Sequence, residues 1–81
     1  MRIRVQFFSK LRELTGSSQL ERTLATGATV GEALAALESE FPKLAEWEGK
    51  ILLAVGVEFA SRDQVLQDGD LLSVMPPVQG G

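Results

Sequence analysis

Two adjacent glycines, Gly80 and Gly81, stand at the carboxyl end of the 81-residue sequence, after Val78 and Gln79. Glycine has no Cβ, so a Gly-Gly segment is narrow enough to approach a catalytic group closely or to thread a tunnel. The chemical group at its tip is the main-chain carboxylate of Gly81. ATP can convert a carboxylate to an acyl-adenylate, and a sulfur nucleophile can then displace AMP to leave a thiocarboxylate. The sequence therefore predicts that the terminal carboxylate is the reactive group.

Two prolines, Pro76 and Pro77, precede this segment and directly follow an apolar run that ends at Met75. Proline cannot donate a hydrogen bond within a sheet, and its ring holds φ at about −65°. We therefore expect residues 76–81 to form a stiff, extended tail, which reaches at most about 20 Å. A disordered terminus is the plain alternative for any Gly-Gly end, and the paired prolines favour the functional interpretation.

The rest of the sequence offers no means of activating that carboxylate. Cysteine and histidine are absent, and no Gly-rich phosphate loop is present. Asp63, Asp68 and Asp70 lack the spacing of a calcium loop, and turn or cap roles are expected for them instead. The sequence thus predicts a protein that is no enzyme on its own and binds no metal or cofactor, with ATP consumed by an activating partner.

Size and charge limit the remaining classes of function. A chain of 81 residues forms one small domain, and its net charge of −3 argues against nucleic-acid binding. Its apolar runs are too short to span a bilayer, and charges interrupt the first of them, so no signal peptide is predicted. We expect a cytoplasmic protein without nucleic-acid or membrane partners. Basic residues concentrate in 1–22 and acidic residues in 32–48, which indicates either an ordinary solvated surface or one that steers a charged partner.

Hydrophobic periodicity predicts an α+β domain over residues 1–75. Strands are expected at 2–8, 19–25, 51–59 and 71–75, a short helical turn at 9–14, the main helix at 29–41, and loops at 44–50 and 61–70. Thr29 and Glu32 have the spacing of a capping box, and Pro42 should end the helix. The apolar stripe of the helix is Val30, Ala33, Leu34, Leu37 and Phe41, and it should pack on Ile3, Val5, Phe7, Val55, Leu72 and Val74.

Five segments resemble the family of molybdopterin synthase small subunits. Towards the carboxyl end they are residues 68–70 (Asp-Gly-Asp), 76–78 (Pro-Pro-Val) and 80–81 (Gly-Gly). Near the start they are residues 5–8 (Val-Gln-Phe-Phe) and 11–16 (Leu-Arg-Glu-Leu-Thr-Gly). The amino-terminal segments are weakly specific alone, whereas the combination with the Pro-Pro-Val-x-Gly-Gly end is strongly specific. The resemblance covers the whole chain.

This resemblance implies a β-grasp fold, as in ubiquitin, with a mixed sheet of four to five strands and one main helix on one face. It implies that an adenylyltransferase resembling ubiquitin-activating enzymes charges Gly81, and that a sulfur donor then supplies the thiocarboxylate. The tail would enter the large subunit of molybdopterin synthase, in a heterotetramer of two small and two large subunits. There it would give its sulfur to cyclic pyranopterin monophosphate, and the catalytic residues would belong to the large subunit.

The first and last strands are neighbours in a β-grasp sheet, which is expected to bring Phe8 and Met75 to one exposed patch that Phe59 extends. Such a patch beside a functional tail suggests a docking surface, with edge packing against a loop as the alternative. Arg12 matches a family position near that surface and would face an acidic partner group, unless it is simply a solvated charge.

The sequence departs from the family pattern at two positions. Gly56 stands where the family commonly has Asn, which indicates a bulge or turn, and Met75 stands where it often has an aromatic residue. Other functions remain open: a sulfur carrier for thiamine synthesis or tRNA thiolation, a ubiquitin-like protein modifier, or an interaction domain with an inert tail. The length and the Pro-Pro-Val segment favour molybdopterin synthesis.

Overall fold

The computed structural model describes residues 1–77, so Val78, Gln79, Gly80 and Gly81 of the predicted tail lie outside the described residues. The strands are β1 (Arg2–Phe7), β2 (Gln19–Thr23), β3 (Leu52–Val55), β4 (Glu58–Phe59) and β5 (Leu71–Met75). The helices are α1 (Lys10–Thr15) and α2 (Val30–Glu40), and a 3-10 helix (Pro42–Trp47) follows α2. These bounds match the predicted elements closely, with two exceptions: the third predicted strand, and the loop predicted at 44–50, where the 3-10 helix lies.

The strands form one mixed sheet in the order β2-β1-β5-β3-β4. The central pair, β1 and β5, is parallel, and every other pair is antiparallel. A parallel pair cannot be closed by a tight turn, so the whole intervening chain forms the crossover between the first and last strands. The predicted α+β class and the adjacency of the first and last strands are confirmed.

Helix α2 packs its apolar stripe on one face of this sheet. It begins with the predicted capping box: Thr29 Oγ1 accepts the Glu32 N–H at 3.1 Å, and Glu32 Oε1 accepts the Thr29 N–H at 3.0 Å. Phe41 ends the helix, and Pro42 starts the 3-10 helix. The fully buried core joins β1, β5 and the helices; its largest side chains include Phe7, Ile3, Leu11, Leu34, Leu44, Leu66 and Leu72.

The prediction of one strand over residues 51–59 is wrong. The segment forms a hairpin, in which β3 and β4 are joined by a turn at Gly56 and Val57. Gly56 adopts φ 63°, a conformation that glycine reaches without strain, and its N–H donates to the Leu71 carbonyl at 2.9 Å. The apolar character of Val57 concealed the turn in the sequence, because an exposed valine at a turn is indistinguishable from a buried strand valine by hydropathy alone. The bulge or turn predicted at Gly56 is therefore confirmed.

The turn at residues 68–70 is tied to the start of β1. Asp68 Oδ1 accepts the Arg2 N–H at 2.7 Å, and the Gly69 N–H donates to the Arg2 carbonyl at 2.7 Å. Asp70 Oδ2 accepts the Gln67 N–H at 2.8 Å. The turn and cap roles predicted for Asp68 and Asp70 are therefore confirmed. Within residues 1–77, no helix has the length and apolar character needed to cross a membrane.

Two glutamates and an arginine meet where α2, the end of the 3-10 helix and the loop after β4 come together. Glu48 and Arg62 form an ion pair at 3.4 Å. Oε2 of Glu38 is buried without a hydrogen-bond partner among the described residues. Burial, a hydrogen bond to Glu48 and the charge of Glu48 raise the pKa of Glu38 to about 7, against the opposing pull of Arg62. A proton on Glu38 lets it donate to Glu48, which satisfies the otherwise unpartnered oxygen.

Glu38→Gln should remove a pH dependence from the folding stability. The folded state holds a proton on Glu38 that the unfolded state releases above its ordinary pKa of 4.5, so stability should fall as the pH rises from 4.5 to about 7. Because one pKa unit corresponds to about 1.4 kcal/mol and solvent reaches this half-buried site, we expect a loss of about 1–2 kcal/mol.

The measurement is urea unfolding at pH 5 and pH 8 for the wild type, Glu38→Gln and the exposed control Glu46→Gln. The glutamine introduced by Glu38→Gln can still hydrogen-bond to Glu48 but cannot ionise, so this variant should be more stable than wild type at pH 8. The control should keep the wild-type dependence. An unchanged dependence in Glu38→Gln would contradict the assignment.

Candidate functional site

The position of strand β5 determines where the predicted tail begins. Pro76 and Pro77 follow Met75 directly, have no sheet pairing and are half-buried. Because β5 runs parallel to β1, β5 ends on the same side of the domain as β1 does. The Phe8 N–H donates to the Val74 carbonyl at 3.2 Å, which places Phe8 beside the final residues of β5.

The face of the sheet opposite α2 carries two rows of side chains near this exit. The strand registers set Gln6, Ser73, Ala54 and Phe59 in one row. In the next row, Met75 is paired with Leu52, and Phe8 continues β1 beside them. Side chains in facing registers point to the same side of a sheet, so the predicted trio of Phe8, Phe59 and Met75 shares this face.

These apolar side chains are partly exposed to solvent. Phe59 is 77% exposed, Phe8 is 37% exposed and Val57 at the hairpin turn is fully exposed at 100%. A depression of about 210 Å³ lies between the hairpin and β5; it is lined by Ala54, Gly56, Val57, Phe59, Ser73 and Met75. We call Phe8, Leu52, Val57, Phe59 and Met75 the open-face patch. Single exposed apolar residues are ordinary, but a contiguous group that lines a depression is typical of a binding surface.

The short helix α1, which follows Phe8, carries Arg12. Its first turn is anchored on the residues after β1: the Leu11 N–H donates to the Phe8 carbonyl at 3.0 Å, and the Arg12 N–H donates to the Ser9 carbonyl at 3.0 Å. Ser9 has φ 51°, which a residue with a side chain adopts at some cost in energy. Arg12 is exposed. The backbone of Arg12 therefore lies one helical turn after Phe8 along the chain.

Sequence reasoning missed Val57 and Leu52. Both were assigned to a continuous buried strand, and only the turn at Gly56 and the register of β3 with β5 place them on the open face. The side chains that meet here are apolar, and none of them is a general base or a nucleophile. Their arrangement offers an apolar contact surface beside the end of β5.

Comparison with known proteins identifies the family of this chain. The family model described as the ThiS family matches residues 5–81. The chain belongs to the ThiS family.

Several relatives are similar to this ThiS-family chain over nearly all of its length. A molybdopterin synthase sulfur carrier subunit from Escherichia coli is 40% identical, with 98% of this chain and 99% of the relative covered. The subunit of the same name from Arabidopsis thaliana is 34% identical, with 98% and 82% covered. Small archaeal modifier protein 3 from Haloferax volcanii is 35% identical, with 100% of both chains covered.

Solved structures share the fold. The crystal structure of SAMP1 from Haloferax volcanii superposes with a TM-score of 0.89 at 29% identity, with 100% of both chains covered. A chain in the complex of subunits 1 and 2 of the molybdopterin-converting factor from Helicobacter pylori superposes with a TM-score of 0.72 at 28% identity, again over 100% of both chains. The ubiquitin-like β-grasp assignment is confirmed.

Phe59→Ala should leave the folding stability almost unchanged, whereas Phe7→Ala should lower it strongly. Phe59 is mostly exposed and Phe7 is buried in the core, so the first substitution removes solvent-facing area and the second leaves a cavity. We expect less than about 0.5 kcal/mol for Phe59→Ala and about 3–5 kcal/mol for Phe7→Ala in urea unfolding. A large loss at Phe59 would show that this ring belongs to the core and is not free for a partner.

Proposed function

We propose that this chain is the sulfur-carrier subunit of a molybdopterin synthase. The observation that supports this most directly is the position of the open-face patch, which lies beside the end of β5, where Pro76 and Pro77 follow. A carrier needs both a surface that docks on a partner and an end that reaches into the partner's active site. Membership of the ThiS family and the names of its relatives support sulfur transfer as the chemistry of this chain.

In this proposal the reacting group is the carboxylate of Gly81. One of its oxygens attacks the α-phosphorus of ATP on an adenylyltransferase similar to ubiquitin-activating enzymes, which releases pyrophosphate and forms the acyl-adenylate. A donor that supplies sulfur at the oxidation level of sulfide then forms a C–S bond as the C–O bond to AMP breaks, and loss of the sulfur proton leaves the thiocarboxylate. In the synthase this sulfur passes to cyclic pyranopterin monophosphate, and catalytic side chains come from the large subunit. This chain binds no cofactor of its own.

The tail's sequence suits delivery of that group. Pro76 and Pro77 restrict the backbone where it leaves the body, which lowers the entropy lost when the tail enters a partner. Val78 and Gln79 provide side-chain contacts along the path, and Gly80 leaves the segment before the reacting carbonyl narrow. Residues 76–81 therefore carry the terminal carboxylate of Gly81 into the active site of the partner.

The open-face patch would hold the large subunit, in a heterotetramer of two small and two large subunits. The structure of subunits 1 and 2 of the converting factor from Helicobacter pylori is a precedent for such pairing in a similar protein. Phe59 and Val57 are exposed anchors that can insert into partner pockets, while Met75 and Phe8 form the adjoining apolar surface. Large apolar anchors at the centre of an interface dominate binding energies. Arg12 at the margin would pair with an acidic group of the partner and favour correct orientation.

A protein modifier is the second candidate function. It is favoured by the similarity to small archaeal modifier protein 3 at 35% identity and by the superposition on SAMP1 with a TM-score of 0.89. Both functions begin with the same activation of Gly81, and they differ in whether sulfur or a lysine amine attacks the adenylated end. Immunoblots of cell extracts separate them, because only a modifier forms covalent conjugates of higher mass.

Deleting Gly81, or adding one alanine after it, should abolish sulfur transfer without changing the fold. Either change moves the terminal carboxylate by one residue, out of register with groups fixed in the partner. The protein is incubated with the adenylyltransferase, ATP and a sulfur donor, and intact mass is measured for a gain equal to one oxygen replaced by sulfur. The melting temperature should match wild type. Undiminished transfer by either variant would overturn the proposed chemistry, and Gly81→Ala should be milder because the carboxylate stays in register.

Phe59→Asp and Met75→Asp should each weaken binding to the purified large subunit by about 10- to 100-fold, which corresponds to about 1.4–2.7 kcal/mol. A carboxylate buried in an apolar contact loses hydration without gaining a partner. The matched control is Val65→Asp, at an exposed apolar residue beside Thr29 on the helix side of the domain. Calorimetric titration measures the three affinities. Equal affinities for all three variants would remove the docking role of the patch.

A further inference from the structure

The depression between the β3–β4 hairpin and β5 contains a single polar side chain, that of Ser73. The other residues of its lining are Ala54, Gly56, Val57, Phe59 and Met75. Along β5, Ser73 alternates with Leu72 and Val74, which are buried in the core, so the Ser73 side chain points to the open face. A hydroxyl group therefore lies within an otherwise apolar depression.

This hydroxyl is available to a ligand. Ser73 is only 7% exposed, yet none of the side-chain hydrogen bonds within residues 1–77 involves its Oγ. In the same range, the one side-chain polar atom that is both buried and unpartnered belongs to Glu38, so solvent still reaches the Ser73 oxygen. A partner that filled the depression would remove this solvent contact. Because a buried hydroxyl without a partner costs free energy, a fitting occupant must supply a hydrogen bond there.

The row of side chains that includes Ser73 changes from polar to apolar across the open face. The strand registers pair Gln19 with Gln6, Gln6 with Ser73, Ser73 with Ala54 and Ala54 with Phe59. The first three residues carry amides or a hydroxyl, whereas the last two are apolar. An occupant that lies along this row therefore meets an apolar surface at one end and hydrogen-bonding groups at the other.

The size and the lining of the depression favour one kind of side chain. A cavity of about 150 Å³ holds benzene, so a depression of about 210 Å³ has room for an aromatic ring. An aliphatic side chain or a phenylalanine ring would leave the Ser73 hydroxyl without a partner. A charged side chain would lose hydration, because no residue of the lining carries a charge. The phenol of tyrosine meets both requirements, since its ring is apolar and its hydroxyl both donates and accepts.

We propose that the depression binds a tyrosine side chain of the large subunit, with the phenol hydrogen-bonded to Ser73 Oγ and the ring against Phe59 and Met75. The tyrosine belongs to the partner that the open-face patch would hold, so its source rests on the proposed function. The amide of Gln6, next to Ser73 in the row, can take the second hydrogen bond of the phenol. Tryptophan fits less well, because its indole N–H donates but cannot accept from the Ser73 hydroxyl. Ser73 thus selects for a polar aromatic residue in the partner.

The first test uses p-cresol and toluene, which represent the side chains of tyrosine and phenylalanine. Each compound is titrated into the full chain labelled with ¹⁵N, and the amide shifts give its affinity. We expect shift changes centred on Ala54, Phe59 and Ser73, and tighter binding of p-cresol although toluene is the more apolar compound. The ratio of the two affinities should fall about tenfold in Ser73→Ala and stay unchanged in the control Ser39→Ala, at an exposed serine of α2. An unchanged ratio in Ser73→Ala, or shift changes centred elsewhere, would overturn the proposal.

The second test observes the tyrosines of the large subunit. The purified large subunit is produced with 3-fluorotyrosine, and its ¹⁹F spectrum is recorded as the wild-type chain or a variant is added. We expect one tyrosine signal to shift on binding, and to shift less when the added chain is Ser73→Ala. In calorimetric titration of the unlabelled large subunit, Ser73→Ala should bind about tenfold more weakly and Ser39→Ala like wild type. The melting temperature of Ser73→Ala should match wild type, because this hydroxyl has no side-chain hydrogen bond to lose within residues 1–77.

Comparison of Ser73→Ala with Phe59→Asp separates the tyrosine site from docking itself. If Phe59→Asp weakens binding of the large subunit while Ser73→Ala binds like wild type, docking on the open-face patch stands and the tyrosine site is refuted. A complex that forms without a shift of any fluorotyrosine signal refutes the tyrosine site in the same way. If neither variant changes the affinity, the docking role of the patch is lost together with the tyrosine site.

Discussion

The parallel pairing of β1 with β5 is the constraint on which the rest of the structure depends. It places the first and last strands of the described chain side by side at the centre of the sheet, where both bury apolar side chains against α2. Val5 pairs with Leu72 and Phe7 pairs with Val74, and all four are almost completely buried. Since the two strands run in the same direction, the exit of the chain from β5 is fixed next to Phe8. The position of Pro76 and Pro77 relative to the open-face patch is therefore set by the packing of the core.

The sheet uses its two faces for different purposes. The face toward α2 is closed and supplies the stability, while the opposite face bears the open-face patch near one edge and the pair of Arg2 with Glu21 near the other. The period of two along each strand lets adjacent residues such as Val74 and Met75 serve the core and the surface separately. Substitutions on the open face can thus change that surface without loss of the fold, and relatives of this chain are named both as sulfur carriers and as protein modifiers.

Much of the fold could be predicted from the sequence, because the local signals were strong and agreed with one another. The capping box at Thr29 and Glu32, the stop at Pro42 and the alternation of β1 each determine one element by short-range chemistry. The hairpin within residues 51–59 could not be predicted, since an apolar residue at a turn looks like part of a strand. The open-face patch was predicted only in part: Phe8, Phe59 and Met75 follow from strand parity and the family pattern, whereas Val57 and Leu52 depend on a turn and a register that no local signal encodes.

The central position of β5 also has a consequence for the order of events during folding. No compact core is possible until the chain has been synthesised as far as Met75, because β1 and β3 each lack a neighbour without β5. Pairings between segments so distant in sequence close large loops and form late. A chain interrupted before this strand would thus expose its apolar surfaces to chaperones and proteases instead of persisting as an intact domain that lacks only the residues after Met75. The topology in this way couples folding of the domain to synthesis of the segment that follows β5.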